Sequence, residues 1–192
     1  KIPDEPTDIV CDKCGKPIFI KLMPAFGNTT NSGLVQSIQD VSFVTNANAI
    51  ISATTDAPWK GVARYMGAPM ASTPEGGIFC GGFNRHGALK IFGGDTDEDT
   101  LCQNQVVDLI GSVIPIILDG EITEQAKGMT TKQAICAIGY KSSNGDKVFF
   151  NCGKQDVQGM QGITVANILK GMGCTTAVIT ATAGGGMEYL GS

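Results

Sequence analysis

Cys11 and Cys14 stand in Cys-Asp-Lys-Cys-Gly-Lys, the kind of knuckle that supplies half of a tetrahedral zinc site. Zinc needs four ligands. The sequence has no second Cys-x-x-Cys, and His86 is its single histidine, so a turn with free or paired thiols is expected and zinc is the alternative. Residues 93–100 place four carboxylates, Asp95, Asp97, Glu98 and Asp99, within five positions. Oxygen ligands so spaced can hold Ca²⁺, but the pattern lacks the glycine and distal glutamate of an EF-hand loop. A solvated acidic turn is expected instead, with Thr96 or Asp97 capping the next helix. No cofactor is therefore expected, with Ca²⁺ or zinc as the alternatives. Gly184, Gly185 and Gly186 form a run whose N–H groups, free of Cβ atoms, can approach an anion closely; a tight turn ending a strand explains the same run. His86 reads as a loop residue. Cys152 reads as a packed thiol, with no base near it in sequence.

These residues sit in a chain of 192 with net charge −4, 42% hydrophobic and 17% charged. The low charge excludes a disordered polyelectrolyte and a coiled coil. The negative balance, with no basic cluster to offset it, argues against nucleic-acid binding. No apolar run approaches the ~20 residues of a membrane span. Glycine accounts for 26 residues, in short turn-like clusters rather than a collagen repeat, so a strand-and-loop protein with many tight turns is expected. The seven cysteines are odd in number and mostly lie in or beside apolar runs. They read as mostly reduced thiols, formed in a reducing cell. The chain opens on Lys1 with no apolar leader and reads as a processed product or a piece of something longer. A virion or extracellular location is favoured over a free cytoplasmic one.

Two parts are expected: an extended segment over 1–33 carrying the knuckle, and a domain over 34–192. Strands are expected at 34–38, 42–44 and 49–53, ending in a turn at 54–59 that holds Trp59, the one tryptophan. Residues 67–77, with two prolines and glycines at either end, read as a loop. A hairpin is expected from Ile78–Cys80 and Ala88–Phe92, and a helix over Thr100–Ile110. Val113–Leu118 reads as a strand turning at Asp119-Gly120. Residues 125–131 read as a polar loop. Ala134–Lys141 and Lys147–Cys152 read as a hairpin closed at Asn144-Gly145. A helix capped by Thr164 is expected to run to Gly171, then a strand over Ala177–Thr182 and a short one over 187–190. The expected fold is α+β, with mixed, mostly antiparallel sheets and a few short helices.

The order of these elements, with the residues at their turns, resembles the phosphodiester glycosidase family. Its lysosomal member, the uncovering enzyme, removes N-acetylglucosamine from a sugar phosphodiester. Pro115 to Ile122 (PIILDGEI) resembles the family's P-L-L-V-x-D-G-x-I segment. Ala137-Ile138-Gly139-Tyr140 resembles its A-I-G-I strand. Gly153-Lys154-Gln155 and Gly162-Ile163-Thr164-Val165 stand where it has D-G-R-Q and G-M-T-L, and Ala177 to Gly186 resembles its last strand and D-G-G-G-S. The match covers roughly residues 111 to 190. The departures fall on its polar positions. The Asn-Gly-Gly turn is Thr55-Asp56-Ala57. The Arg before A-I-G has Lys132 and Gln133 nearest. The acid before G-R is Cys152, and the Asp before the glycines is Ala181 or Ala183.

The resemblance implies cleavage or recognition of a glycosyl phosphodiester. Such chemistry needs carboxylates as acid, base or nucleophile and donors for the phosphate oxygens. Asp56 and Glu188 are the candidate catalytic acids, with Asp119 a third that reads as a turn residue. Trp59 would stack a sugar ring. Lys154, at the family's Arg position, and Gly184, Gly185 and Gly186 would hold the phosphate; Arg64 and Arg85 are further cations. The expected function is hydrolysis of a glycosyl phosphodiester or a cell-surface glycopolymer. The alternative is a catalytically degenerate module that binds glycan or phosphate, or a structural part of a larger assembly such as a phage tail. The partner is a glycan or sugar phosphate, with other subunits in the second case.

Overall fold

The computed structural model describes residues 43–44, 59–70, 72–152, 159–182 and 188–189. The expected segment over 1–33, with Cys11 and Cys14, lies outside them, as do the strands expected at 34–38 and 49–53. Among the described residues thirteen strands and three helices occur, so the molecule is strand-rich. No described helix is long and apolar enough to cross a membrane.

The organising element is β8, Val106–Leu118, thirteen residues long. Its first part pairs with β6 (Phe79–Asn84) through Asn84–Val106 to Phe79–Val113, and with β3 (Arg64–Tyr65) through Arg64–Leu109. Its last part pairs with β12 (Thr176–Ala181) from Ile179–Ile114 to Ala177–Ile117, and with β9 (Glu121–Ile122). Beyond β6 lies β7 (Leu89–Gly93); beyond β3 lies β4 (Ala68–Pro69). Beyond β12 come β10 (Ile135–Tyr140) and then β11 (Lys147–Cys152). All these pairings are antiparallel. One strand thus serves two sheets. The passage from one to the other falls at Ser112, whose φ is +59°, a left-handed conformation unusual for a side-chain-bearing residue. Next to Pro115, which has no N–H to offer, the register with β12 slips by one residue.

Alternation along the strands sends side chains to two different cores. Phe83, Leu89, Ile110 and Val113 of the first sheet meet Ile138 and Val178 of the second. The other face of the second sheet, with Ile117, Ile135, Ala137 and Ile179, is covered by α2 (Glu124–Gly128) and α3 (Gly162–Gly171) through Ala126, Val165 and Leu169. The other face of the first sheet holds Cys80, Val106 and Leu109 against Leu101 of α1 (Glu98–Gln103). The layers run helix, sheet, sheet, helices.

The differences from expectation are local. Thr100–Ile110 is not one helix. Helix α1 begins at Glu98, with the Asp97 carboxylate accepting from Thr100 N at 2.7 Å, and stops at Asn104. Gln105 then turns the chain with φ +55°, and Val106 starts β8. Residues 125–131 carry a helix that five residues of pattern could not reveal. Its cap is Thr123, whose hydroxyl accepts from Ala126 N and donates to Pro115 O. Helix α3 starts at Gly162 with Gln161 at its cap position and no side-chain cap, so Thr164 lies inside it. The 67–77 loop contains the short strands β4 and β5 (Ser72–Thr73). Residue 59 is not in a turn but in β2 (Trp59–Lys60), parallel to β5. The hairpins at Asp119-Gly120 and Asn144-Gly145 are as expected.

Candidate functional site

Three strand ends come together at one end of the second sheet. The first residues of β10 pair with the last residues of both neighbours: Ile135 with Cys152 of β11, and Cys136 with Ala181 of β12. With β10 between them, the two strand ends are about 10 Å apart. Residues 153–158 continue from the first and 183–187 from the second. The chain comes back from the former at Gly159 and Met160. Met160 exchanges two backbone hydrogen bonds with Gln133, at 2.9 and 3.0 Å. A Cβ on Gly159 would stand 2.2 Å from the Gln133 carbonyl, so only glycine allows that approach. Helix α3 follows at once, and its first N–H groups take no side-chain cap.

The third component is β2. Gly111 of β8 lies directly under the Lys60 carbonyl: a Cβ there would be 1.7 Å from the oxygen. The last β8–β12 pair is Ile114–Ile179. The backbone at Trp59–Lys60 therefore crosses β8 within about 10 Å of the point where β12 leaves it. The short β5 holds this crossing through Gly61 N to Thr73 O at 2.8 Å, and Lys60 pairs with Glu75 at 3.4 Å.

Asp56, Lys154, Gly184, Gly185 and Gly186 lie outside the described residues. What is seen is that the strand ends from which Lys154 and the glycines continue are neighbours, and that Trp59 approaches the same stretch of β8. Glu188 is in β13 (Glu188–Tyr189), opposite Val44 of β1 (Phe43–Val44), a two-stranded pair separate from the main sheet.

The remaining candidates are placed elsewhere. Arg64 is buried; its guanidinium bonds Gly67 O at 2.6 Å and Val106 O at 3.0 Å, and pairs with Glu98 at 2.9 Å. It ties α1 and the β3 turn to β8 and is not open to a phosphate. Arg85 and His86 occupy the turn at the Asn84 end of β6, where His86 Nε2 lies 3.0 Å from Gln105 Oε1. In the acidic run, Asp97 is the α1 cap and Glu98 the partner of Arg64. Two hydrogen bonds from Thr100 hold the Asp97 carboxyl below its usual range. Among the described residues no group of three or more His, Cys, Asp or Glu is arranged to hold a metal.

Two thiols flank the strand ends. Cys152 Sγ is 3.6 Å from Gln133 O, and Cys136 Sγ is 3.4 Å from Asn151 Oδ1. All five described cysteines are free of disulfides. Ala181, one of the two alanines at the family's Asp position, is buried. Sequence reading missed Gln133 and Gly159, which fix the backbone where the chain returns beside the start of β10; a lone glycine between Gln158 and Met160 carries no signal of a close backbone approach.

No family model matches the chain, and no curated protein matches it. Among solved structures it is similar to the catalytic domain of zebrafish N-acetylglucosamine-1-phosphodiester alpha-N-acetylglucosaminidase, auto-inhibited by its pro-peptide. The TM-score is 0.63 and the identity 18%, over 84% of this chain and 57% of that one. The chain thus spans little more than half of that structure. At this identity the likeness is one of fold.

Proposed function

We propose that this chain is a glycan-handling domain that hydrolyses a glycosyl phosphodiester, or a sugar-phosphate linkage within a cell-surface glycopolymer. The observation that carries the reading is the adjacency of the β11 and β12 ends on either side of the start of β10. These ends lead into the two segments that resemble the phosphate-handling motifs of the phosphodiester glycosidases. The N-terminus of α3, which has no side-chain cap, follows Met160 beside the same strand start, and its dipole favours negative charge. The fold likeness to a zebrafish enzyme of that chemistry supports it.

In this reading Gly184, Gly185 and Gly186 offer N–H groups to the phosphate, Lys154 offers a cation, and Trp59 stacks the sugar. Asp56 and Glu188 are the acids. A phosphate monoester is already a good leaving group, so one carboxylate acting on the sugar side carries most of the chemistry. A second reading keeps the ligand and drops the reaction. Ala181 is packed in the core and Cys152 bonds to a backbone carbonyl, so neither supplies the charge the family has at those positions. The chain would then bind a glycan or sugar phosphate within a larger assembly.

The test is turnover of an aryl or nucleotide phosphodiester of N-acetylglucosamine by the full chain. Asp56→Asn and Glu188→Gln are each expected to lower it by about 10²- to 10⁴-fold. Absent turnover with retained sugar-phosphate binding would remove the enzyme reading in favour of the second. Undiminished turnover in both variants would discard these two acids.

A further inference from the structure

At the opposite end of the second sheet, where β8 and β10 finish and β12 begins, a cleft of about 370 Å³ opens between the two sheets. Its walls include Leu89 and Lys90 of β7, Tyr140 at the end of β10, Thr175 and Thr176 at the start of β12, Ser142, and Asp119 of the hairpin turn. The frame is fixed by backbone hydrogen bonds: Gly120 N to Thr175 O at 2.8 Å, and Thr175 N to Tyr140 O at 2.8 Å. Ser142 N adds a bond to the Thr175 hydroxyl at 3.2 Å. Asp119 has φ +49° and Gly120 φ +80°, as the tight turn requires, so the Asp119 carboxylate is carried on a rigid support.

Four polar groups around this cleft are unused by the fold. The Asp119 carboxylate and the hydroxyls of Tyr140, Ser142 and Thr176 have no hydrogen-bond or ion-pair partner among the described residues. An aromatic ring beside several polar groups that the fold leaves to solvent, in a concave frame, is a composition that a ligand can use. The charges narrow the ligand. Asp119 and Lys90 put one charge of each sign on the walls, so neither an anion nor a cation finds a matching field. The Lys147 ammonium, 5.8 Å from the centre of the Tyr140 ring, already occupies that ring's cation-attracting field and repels a second cation.

We propose that this cleft binds a neutral saccharide. The Asp119 carboxylate accepts from sugar hydroxyls, the three protein hydroxyls donate and accept, and the Tyr140 ring packs on the C–H face of a pyranose. The site is a strand's length from the β11 and β12 ends, and it does not depend on the proposed reaction there. It would hold a glycan chain at a second point without cleaving it.

The experiment is a titration of the full chain with neutral disaccharides of glucose, galactose, mannose and N-acetylglucosamine, followed by ligand-observed NMR. At least one is expected to bind saturably. Asp119→Asn, which keeps a residue tolerant of the left-handed turn, is expected to weaken that binding about tenfold. Tyr140→Leu is expected to abolish it, with circular dichroism checking that the fold is retained. Lys127→Gln, on α2, should leave it unchanged, and inorganic phosphate should not compete. The proposal is overturned if none of the disaccharides binds saturably, if Asp119→Asn binds as tightly as the parent, or if phosphate displaces the sugar.

Discussion

Gly111 shows how single residues in this protein set the position of larger parts. The Lys60 carbonyl lies where a Cβ of residue 111 would be, at 1.7 Å, and the Asp108 carbonyl stands in the same relation to Gly82 at 1.8 Å. Much of the high glycine content thus reflects strands that approach too closely for a side chain, besides the turns that composition suggested. Gly111→Ala should push β2 off β8 and cost about 3 kcal/mol. The expected result is a lower thermal midpoint, with the signal of Trp59 changing before the global transition. An unchanged midpoint would mean that β2 is not held there. The thiols are a second residue-scale case. Burial pushes Cys80 up to about 11, so at pH 8 it is a neutral, enclosed thiol, whereas Cys102 is exposed. Mass mapping after brief alkylation at pH 8 should find Cys102 modified and Cys80 intact; modification would reach Cys80 only after unfolding or well above that pH. The apolar neighbours made burial of most cysteines legible in the sequence. The exposure of Cys102 was not, because it sits on the outer side of a helix whose limits were misjudged.

At the scale of elements, the strand–turn–strand order from Val113 to Cys152 was readable because Asp-Gly and Asn-Gly fix hairpin turns in short, locally encoded form. The boundary at 104–106 was not. Apolar residues at 101, 106, 109 and 110 fit a helical stripe loosely, and the break comes from Asn104 and Gln105: the Asn104 amide donates to Thr100 O, and Gln105 takes a positive φ. Neither is glycine or proline, so no strong stop signal appears. Helix α2 was invisible for a different reason. It is five residues long, and its support is tertiary: Thr123 Oγ1 accepts from Ala126 N at 3.1 Å and donates to Pro115 O at 2.7 Å. That second bond joins the helix to β8 beside the register slip. Thr123→Val keeps the shape and removes both bonds. It should cost about 1–2 kcal/mol, seen as a lower urea midpoint with unchanged slope, while Thr123→Ser should recover most of the loss. Destabilisation by Ser with none by Val would assign the effect to the methyl group and not to the hydroxyl.

For the whole molecule, the sequence motifs from Pro115 onward marked the second sheet and α3. They did not disclose that the same strand, begun at Val106, also builds the first sheet. That fact depends on pairings between segments distant in sequence, such as Phe79 with Val113 and Arg64 with Leu109, which no local pattern encodes. The candidate site divides in the same way. The glycines and Lys154 are candidates through their resemblance to motifs, whereas the adjacency of the strand ends that lead to them is a property of topology. The shared strand has a thermodynamic consequence. Ile110 and Val113 of β8 pack in the core between the sheets, and Ile116 and Ile117 in the core under α2 and α3. Losing β8 from either sheet exposes both cores, so neither half has a stable folded state without the other. Urea unfolding should therefore be a single transition. Far-ultraviolet circular dichroism should coincide with the loss of amide protection in β6 and in β12, and the slowest amides of the two strands should report the same opening free energy. If β6 opened at lower urea while β12 stayed protected, the first sheet would be an independent unit, and Ser112 would be a hinge between domains and not a bend within one.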